Sequence, residues 1–230
     1  MKTALSFLLF LTLCLGALGP GLAAADGLAD PVADPMADPM AEIGRLQERW
    51  AEVNYQLEGK TQLTAFETLV QEADQLTGQH PDSAPAFIWS GIIKSSYAGA
   101  KGGLGAMKLA KASRADLEHA MQIDPEAMQG SAYTSLGTLY FKVPGWPVGF
   151  GDEEKAEDLL RKALVLNPDG IDPNYFYGDF LLEQKRYDEA ERVLLKAQQA
   201  PARPERPLAD AGRQEEIEVA LLKVREKLHK

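Results

Sequence analysis

Several chemically reactive side chains are scarce in this 230-residue sequence. It contains one cysteine, Cys14, and three histidines, His80, His119 and His229, which lie far apart. No second ligand stands at helical spacing from any histidine, so neither a zinc site nor a catalytic histidine is expected. If the N-terminal 25 residues are removed on export, the mature chain has no cysteine, which excludes disulfides and thiol chemistry. We predict no metal, no cofactor and no catalytic residue.

Signals for phosphate or nucleic-acid binding are also weak. The Gly-Lys-Thr at residues 59–61 resembles the end of a phosphate-binding loop, but Asn54 occupies the place of its first glycine. The glycine cluster at residues 99–105 is interpreted as a flexible turn rather than an anion site. With 24 basic and 34 acidic residues, the net charge of −10 disfavours nucleic acid and anionic lipid.

The N-terminus predicts export. An apolar run at residues 4–18 precedes Ala-Ala-Ala at 23–25, which indicates a signal peptide over residues 1–25 and a periplasmic mature protein. The run is shorter than the span of about 20 residues that a membrane helix needs, so a retained anchor is disfavoured. A lipid anchor at Cys14 is not expected, because the bulky Leu13 occupies a position that requires a small residue.

A proline-rich segment follows the predicted signal peptide. Residues 26–40 contain three consecutive Ala-Asp-Pro units, and each proline removes a backbone donor and restricts the residue before it. We interpret this segment as an extended acidic linker, with a partner-binding tail as the alternative. The remaining residues, 41–229, are predicted to form one helical repeat domain.

The domain prediction depends on a repeated pattern of small and large residues. Residues 133–168 and 174–197 share it, with seven extra residues in the loop of the first copy. The pattern is that of the tetratricopeptide repeat (TPR), a helical hairpin of about 34 residues. Its positions are Leu136, Gly137, Tyr140, Ala156, Leu160 and Ala163 in the first copy, and Tyr177, Gly178, Tyr187, Ala190, Leu194 and Ala197 in the second.

Helical periodicity extends the pattern over the rest of the domain. Asp124-Pro125 and Asp172-Pro173 each predict a helix start, because aspartate caps helices and proline suits the first turn. Residues 99–103 predict a long turn inside the second hairpin. We therefore predict an all-α fold, an α-solenoid of about four TPR-like hairpins with a C-terminal capping helix that begins near Asp210.

Aromatic residues mark the candidate binding surface. Trp146 and Phe150 lie on a short loop rich in glycine and proline, where they either contact a partner or fold back to fill the groove between repeats. The segment 174–180 is aromatic on several faces, so one face is expected on the inner wall of the solenoid. The predicted partner or ligand site is Trp146, Phe150, Tyr175, Phe176, Tyr177, Asp179 and Tyr140.

These residues also resemble a known family. The order Leu-Gly-Thr-Leu-Tyr at 136–140, Pro-Gly-Trp-Pro at 144–147, Gly-Phe-Gly-Asp at 149–152 and Tyr-Phe-Tyr-Gly at 175–178 is similar to TatT proteins. Those are TPR-like accessory subunits of tripartite ATP-independent periplasmic (TRAP) transporters. The resemblance implies a periplasmic protein that partners a solute-binding protein, offers a pocket to an apolar ligand and forms homo-oligomers. The sequence departs from lipoprotein members of the family at Leu13.

Three functional hypotheses follow. The first is a non-catalytic scaffold that binds a protein partner, the solute-binding protein of a TRAP-type transporter. The second is a periplasmic carrier of a small apolar ligand, held in a pocket lined by Phe150, Tyr175, Phe176 and Tyr177. The third is an enzyme such as a cell-wall hydrolase, which no nucleophile–base pair in the sequence supports.

Overall fold

The computed structural model describes residues 39–229, apart from the side chain of Leu104. The predicted signal peptide and all but the end of the predicted linker lie outside this range. The described part of the chain contains nine helices, which confirms the predicted all-α helical repeat class. They are α1 Pro39–Gln56, α2 Gly59–Gln79, α3 Ala84–Lys101, α4 Gly103–Ile123, α5 Ala127–Lys142, α6 Glu153–Leu166, α7 Ile171–Glu183, α8 Tyr187–Gln198 and α9 Pro207–Leu228.

Helices α1 to α8 pair into four hairpins, and one small-to-large contact recurs in three of them. A Cβ atom on Gly91 would lie 2.6 Å from Leu117, one on Gly137 2.8 Å from Leu160, and one on Gly178 2.6 Å from a leucine of α8. Only glycine allows the two helices of each hairpin to approach this closely. The α3–α4 hairpin is therefore a third copy of the repeat that the sequence displays clearly only twice.

The first helices of the hairpins form a closed ring together with α9. Along the inner side, α1 contacts α3, α3 contacts α5, α5 contacts α7 and α7 contacts α9, and α9 returns to contact α1. The last contact needs Gly212, because a Cβ there would lie 2.3 Å from the Tyr55 ring. Helix α9 packs on α8, as predicted for a C-terminal capping helix. The prediction did not include its contact with α1. Through that contact α9 joins the two ends of the repeat array.

Three predicted helix boundaries are wrong. The cluster at residues 99–103 is not a long turn, because α3 continues to Lys101 and α4 begins at Gly103. Gly102 and Gly103 both have φ of +61°, a backbone conformation that glycine adopts without strain, and this permits the short connection. At the third hairpin Asp124 does accept a hydrogen bond from the Glu126 amide at 2.9 Å. However, residues 128–130 are left-handed, so the regular right-handed helix begins after Gly130.

The third error concerns Asp172, which the sequence predicts as the cap of α7. The helix begins at Ile171, two residues earlier than predicted, and its N-cap is Gly170 without a side-chain cap. Asp172 therefore lies in the first turn, where its carboxylate is free to form ion pairs with arginines elsewhere in the fold. Within residues 39–229, no helix combines the length and hydrophobicity that crossing a bilayer requires.

Candidate functional site

A large cavity lies inside the ring of inner helices. Its volume is about 1480 Å³, larger than the roughly 300–1,000 Å³ of common small-molecule sites. All five inner helices line it, together with part of α4, the loop after α5 and the chain between α8 and α9. Exposed lining residues such as Met40 and Val148 show that it opens to solvent. The contact between α9 and α1 completes the ring of helices around this cavity, which stays open to solvent at its mouth.

Two tryptophans form the apolar wall of the cavity at α1 and α3. The rings of Trp50 and Trp89 meet edge to face with centroids 5.7 Å apart. The Trp50 indole N–H donates to the Ser96 hydroxyl at 2.9 Å. Trp89 is only 2% exposed, yet its indole N–H has no acceptor among the described residues. Buried donors are normally paired, so this N–H is an unsatisfied polar group in the wall of the cavity.

Three arginines lie at one end of the cavity, and a shared carboxylate holds two of them. Asp172 accepts hydrogen bonds from Arg203 at 2.6 Å and from Arg213 at 2.9 Å. Arg203 is also held by Asp210, and Arg213 by Glu216. Although burial alone would raise the pKa of Asp172, the positive charges of Arg213 and Arg203 keep that pKa well below its usual range. This network ties α7, α9 and the α8–α9 connection together.

The third arginine, Arg206, is held differently. Its guanidinium lies over the Trp89 ring, 4.9 Å from the ring centroid, and its buried Nε has no hydrogen-bond acceptor among the described residues. No carboxylate of the described residues forms an ion pair with it within 4.0 Å. Burial, followed by the nearby charge of Arg203, lowers the pKa of Arg206. Arg206 remains charged near neutral pH and lines the cavity without an ion pair among the described residues, while the charges of Asp172 and Asp210 act on it from a greater distance.

The loop between α5 and α6 is compact and borders the same cavity. The Gly151 amide donates to Pro144 at 3.0 Å, and the Gly149 amide donates to Gly145 at 3.1 Å. A Cβ on Gly151 would lie 1.9 Å from a backbone oxygen, so this fold of the loop requires glycine there. At its tip Trp146 is 90% exposed. The loop therefore presents a large aromatic ring to solvent beside the cavity opening.

The two aromatics of this loop have different environments. Phe150 is half-buried, with its ring edge to face with Tyr140 at 5.6 Å and the Arg114 guanidinium 4.4 Å above it. It therefore fills space between hairpins, as one of the two interpretations of the loop expects. Trp146 does not fold back, and its exposure is what the partner-contact interpretation requires.

The remaining predicted site residues do not come together. Tyr140 and Tyr177 are buried, and their hydroxyls bond to Glu118 and Glu157 on the second helices of the hairpins. Only Phe176 of the predicted pocket aromatics lines the large cavity. Phe150, Tyr175, Phe176 and Tyr177 therefore do not form the single pocket that the carrier hypothesis predicted, because successive residues of α7 point in different directions around its axis.

Tyr175 and Asp179 instead border a second, smaller cavity of about 370 Å³ between α1, α7 and α9. The Arg213 guanidinium lies 4.5 Å from the ring centroids of both Tyr175 and Phe176. Asp179 pairs with Lys142 at 2.8 Å and so links α7 to α5. Burial raises the pKa of Tyr175 and of Tyr55, the latter to about 12, so both phenols are neutral at physiological pH.

The sequence interpretation missed the polar end of the large cavity. Trp89 lies within α3, and Arg203 and Arg206 lie in the proline-rich connection between α8 and α9, which no sequence motif singled out. One sequence feature could have indicated this polar end. Two arginines, Arg203 and Arg206, lie within a stretch of four residues in a protein whose net charge is −10. Within residues 39–229, no three His, Cys, Asp or Glu side chains are placed to share a metal ion.

Comparison with protein families agrees with the repeat assignment. Residues 148–207 match the tetratricopeptide repeat. The match begins in the Trp146 loop and covers α6, α7 and α8. Scaffolds of this repeat type are typically non-catalytic and bind other proteins. For this chain the match and the nine described helices show a TPR-like helical repeat fold. No curated protein matches the sequence.

Comparison with solved structures supports the fold. TTC0263, a thermophilic TPR protein of Thermus thermophilus, aligns over 81% of this chain and 82% of its own at 17% identity, with a TM-score of 0.57. Two structures of MamA align at 18% identity with TM-scores of 0.42 and 0.41, over 72% and 81% of this chain and 90% and 94% of theirs. At this level of identity the likeness to TTC0263 shows a shared TPR-like fold alone. The resemblance to TatT remains a prediction.

Proposed function

We propose that this protein is an exported, non-catalytic TPR-like scaffold that binds the solute-binding protein of a TRAP-type transporter. The observation that carries the proposal is the Trp146 loop. Its backbone is held by hydrogen bonds and close glycine contacts, so little conformational freedom remains to be lost when a partner binds. An exposed tryptophan on such a loop is the residue type that contributes most strongly to protein interfaces.

The position of the loop suits this role. Val143, Pro144 and Val148 line the large cavity, while Trp146 points to solvent on the same loop. A partner that contacts Trp146 would therefore sit beside the cavity opening. The acidic net charge favours a partner with a neutral or basic contact surface.

The experiment is a comparison of Trp146→Ala with the unaltered protein. Crosslinking in the cell envelope followed by mass spectrometry would identify the solute-binding protein, and calorimetry with the two purified proteins would measure its affinity. Truncating an interface tryptophan costs about 2 kcal/mol or more, so we expect the Kd to rise tenfold or more. Leu222→Ala is the control, because Leu222 is 66% exposed on α9, away from the loop. Equal affinity of Trp146→Ala and unaltered protein would refute the proposed contact.

A second candidate function is the binding and carriage of a small apolar molecule. The cavity favours this function. Close-packed protein interiors contain few voids larger than a water molecule, whereas the ring of helices surrounds a space of about 1480 Å³. The two functions are compatible, because a carrier needs a partner to receive its ligand. Native mass spectrometry of freshly purified protein tests this candidate. A co-purifying hydrophobic molecule is expected, and a mass equal to that of the protein alone in every preparation would refute it.

A further inference from the structure

We propose that the large cavity binds a single-chain amphiphile with an anionic head, a carboxylate recognised by Arg206 and the indole N–H of Trp89. This inference rests on the second candidate function and specifies the chemical class of its ligand. It assigns the apolar chain to the interior of the ring and the head to the end where the α8–α9 connection meets α3.

Two buried donors at this end of the cavity, Trp89 Nε1 and Arg206 Nε, have no acceptor among the described residues. Trp89 is almost completely buried and lines the cavity, yet its N–H finds no acceptor among the described residues, whereas the adjacent Trp50 N–H is satisfied by Ser96. A carboxylate accepts several hydrogen bonds and carries no donor, so it complements an indole N–H directly. An uncharged hydrocarbon would leave this donor without a partner.

Arg206 supplies the complementary charge. The two other arginines at this end form ion pairs with Asp172, Asp210 and Glu216. Arg206 lies over the face of Trp89 and forms no ion pair among the described residues, and the charges of Asp172 and Asp210 act on it from a greater distance. Two further carboxylates line the cavity, Asp169, which pairs with Lys196, and Glu205, which is exposed. Neither forms an ion pair with Arg206. The Arg206 guanidinium lies 4.9 Å from the centroid of the indole ring, so a carboxylate bound to Arg206 lies close to Trp89.

The rest of the cavity suits a hydrocarbon chain. Ile92, Met107, Met128 and Phe176 contribute apolar side chains from four different helices. Methionine side chains adapt to irregular shapes, which favours a flexible chain over one rigid ligand. The hydroxyl groups of α5 offer weaker polar contacts and no competing cation site. Lys142, the other cation on the lining, is held by Asp179 and Glu183.

The test compares decanoate, 1-decanol and decyltrimethylammonium as probes, each below its solubility and micelle limits. Calorimetry on the full mature protein would measure their affinities at neutral pH. We expect decanoate to bind tenfold or more tightly than decanol, because charge-assisted hydrogen bonds are about twice as strong as neutral ones. The cationic probe is expected to bind most weakly.

Two variants test the assigned residues. Arg206→Gln keeps hydrogen-bond donors but removes the charge, and it should reduce the preference for decanoate over decanol to threefold or less. Trp89→Phe removes the N–H but keeps an aromatic ring, and it should weaken decanoate several-fold while changing decanol little. The matched control is Arg225→Gln, whose arginine pairs with Glu191 outside the cavity and should leave all affinities unchanged. Circular dichroism would verify the fold of each variant.

The outcomes separate this inference from the function on which it rests. If decanoate and decanol bind equally well to the unaltered protein, the anionic head is wrong while the apolar carrier stands. If neither binds, both are wrong. If the decanoate preference survives Arg206→Gln, the assignment of the head to Arg206 is wrong.

Discussion

The ion-pair network at Asp172 gives the sharpest test of how the ring is closed. Asp172→Asn keeps the size of the side chain but removes its charge. One amide oxygen can still accept a hydrogen bond from Arg203 or Arg213, while the amide nitrogen faces the other guanidinium and cannot. Arg213 is 6% exposed, so solvent cannot replace the lost partner efficiently.

The expected cost follows from this geometry. Removing one partner of a buried ion pair costs about 3–5 kcal/mol, because a charge is left buried without its counter-ion. Here Arg203 keeps Asp210 and Arg213 keeps Glu216, which places the loss at the lower end, about 3 kcal/mol. The free energy of unfolding of a typical domain is only about 5–15 kcal/mol, so the loss is large.

Urea unfolding followed by circular dichroism would measure this change. With an m value of about 2 kcal/mol/M, the midpoint should fall by about 1.5 M. Asp158→Asn is the control, because Asp158 forms an exposed pair with Lys162 within α6, and no resolvable shift is expected there. A loss below about 1 kcal/mol for Asp172→Asn would refute the view that this network holds α7 and α9 together.

Two further predictions concern the same closure. Gly212→Ala should destabilise the protein by about 1–3 kcal/mol, since the new methyl group would overlap the Tyr55 ring. Gly44→Ala on α1 meets no atom within 4 Å and should be neutral or stabilising; equal effects of the two changes in thermal unfolding would contradict the close α1–α9 contact. Because the pKa of Asp172 is lowered by folding, its contribution to stability is fully present well above its unfolded pKa of about 3.9. The contribution is lost progressively as the pH falls from about 5 towards the lowered pKa of the folded state. The raised pKa of Glu216 acts in the opposite direction, and Asp172→Asn should therefore flatten the acid side of the stability profile measured in urea.

The sequence predicted the structure correctly at positions where the packing of neighbouring helices allows only one type of residue. The glycines at 137 and 178 and the leucines at 160 and 194 predicted hairpins whose helices touch, and the structure contains those contacts. The glycine cluster at 99–103 misled the prediction, because two positive φ angles turn the chain more sharply than a flexible loop would. A glycine run alone does not distinguish these conformations.

The candidate site was less predictable. Asp172 has a capping residue's local sequence, and nothing nearby in the chain reveals that Arg203 and Arg213 lie next to it, 31 and 41 residues away. Trp89 likewise fits a buried helical position whether or not its N–H finds an acceptor. Whether such a polar group finds an ion-pair or hydrogen-bond partner depends on which distant segments of the chain meet it in the folded structure.

The sequence by itself determined the all-α class and the pairing of helices into hairpins, because these depend on residues within about 34 positions of one another. The tertiary structure alone decided that the array closes on itself through α1 and α9. Closure depends on the small rotation between successive hairpins, which accumulates over the whole domain and leaves no local pattern. That closure completes the ring of helices around the cavity.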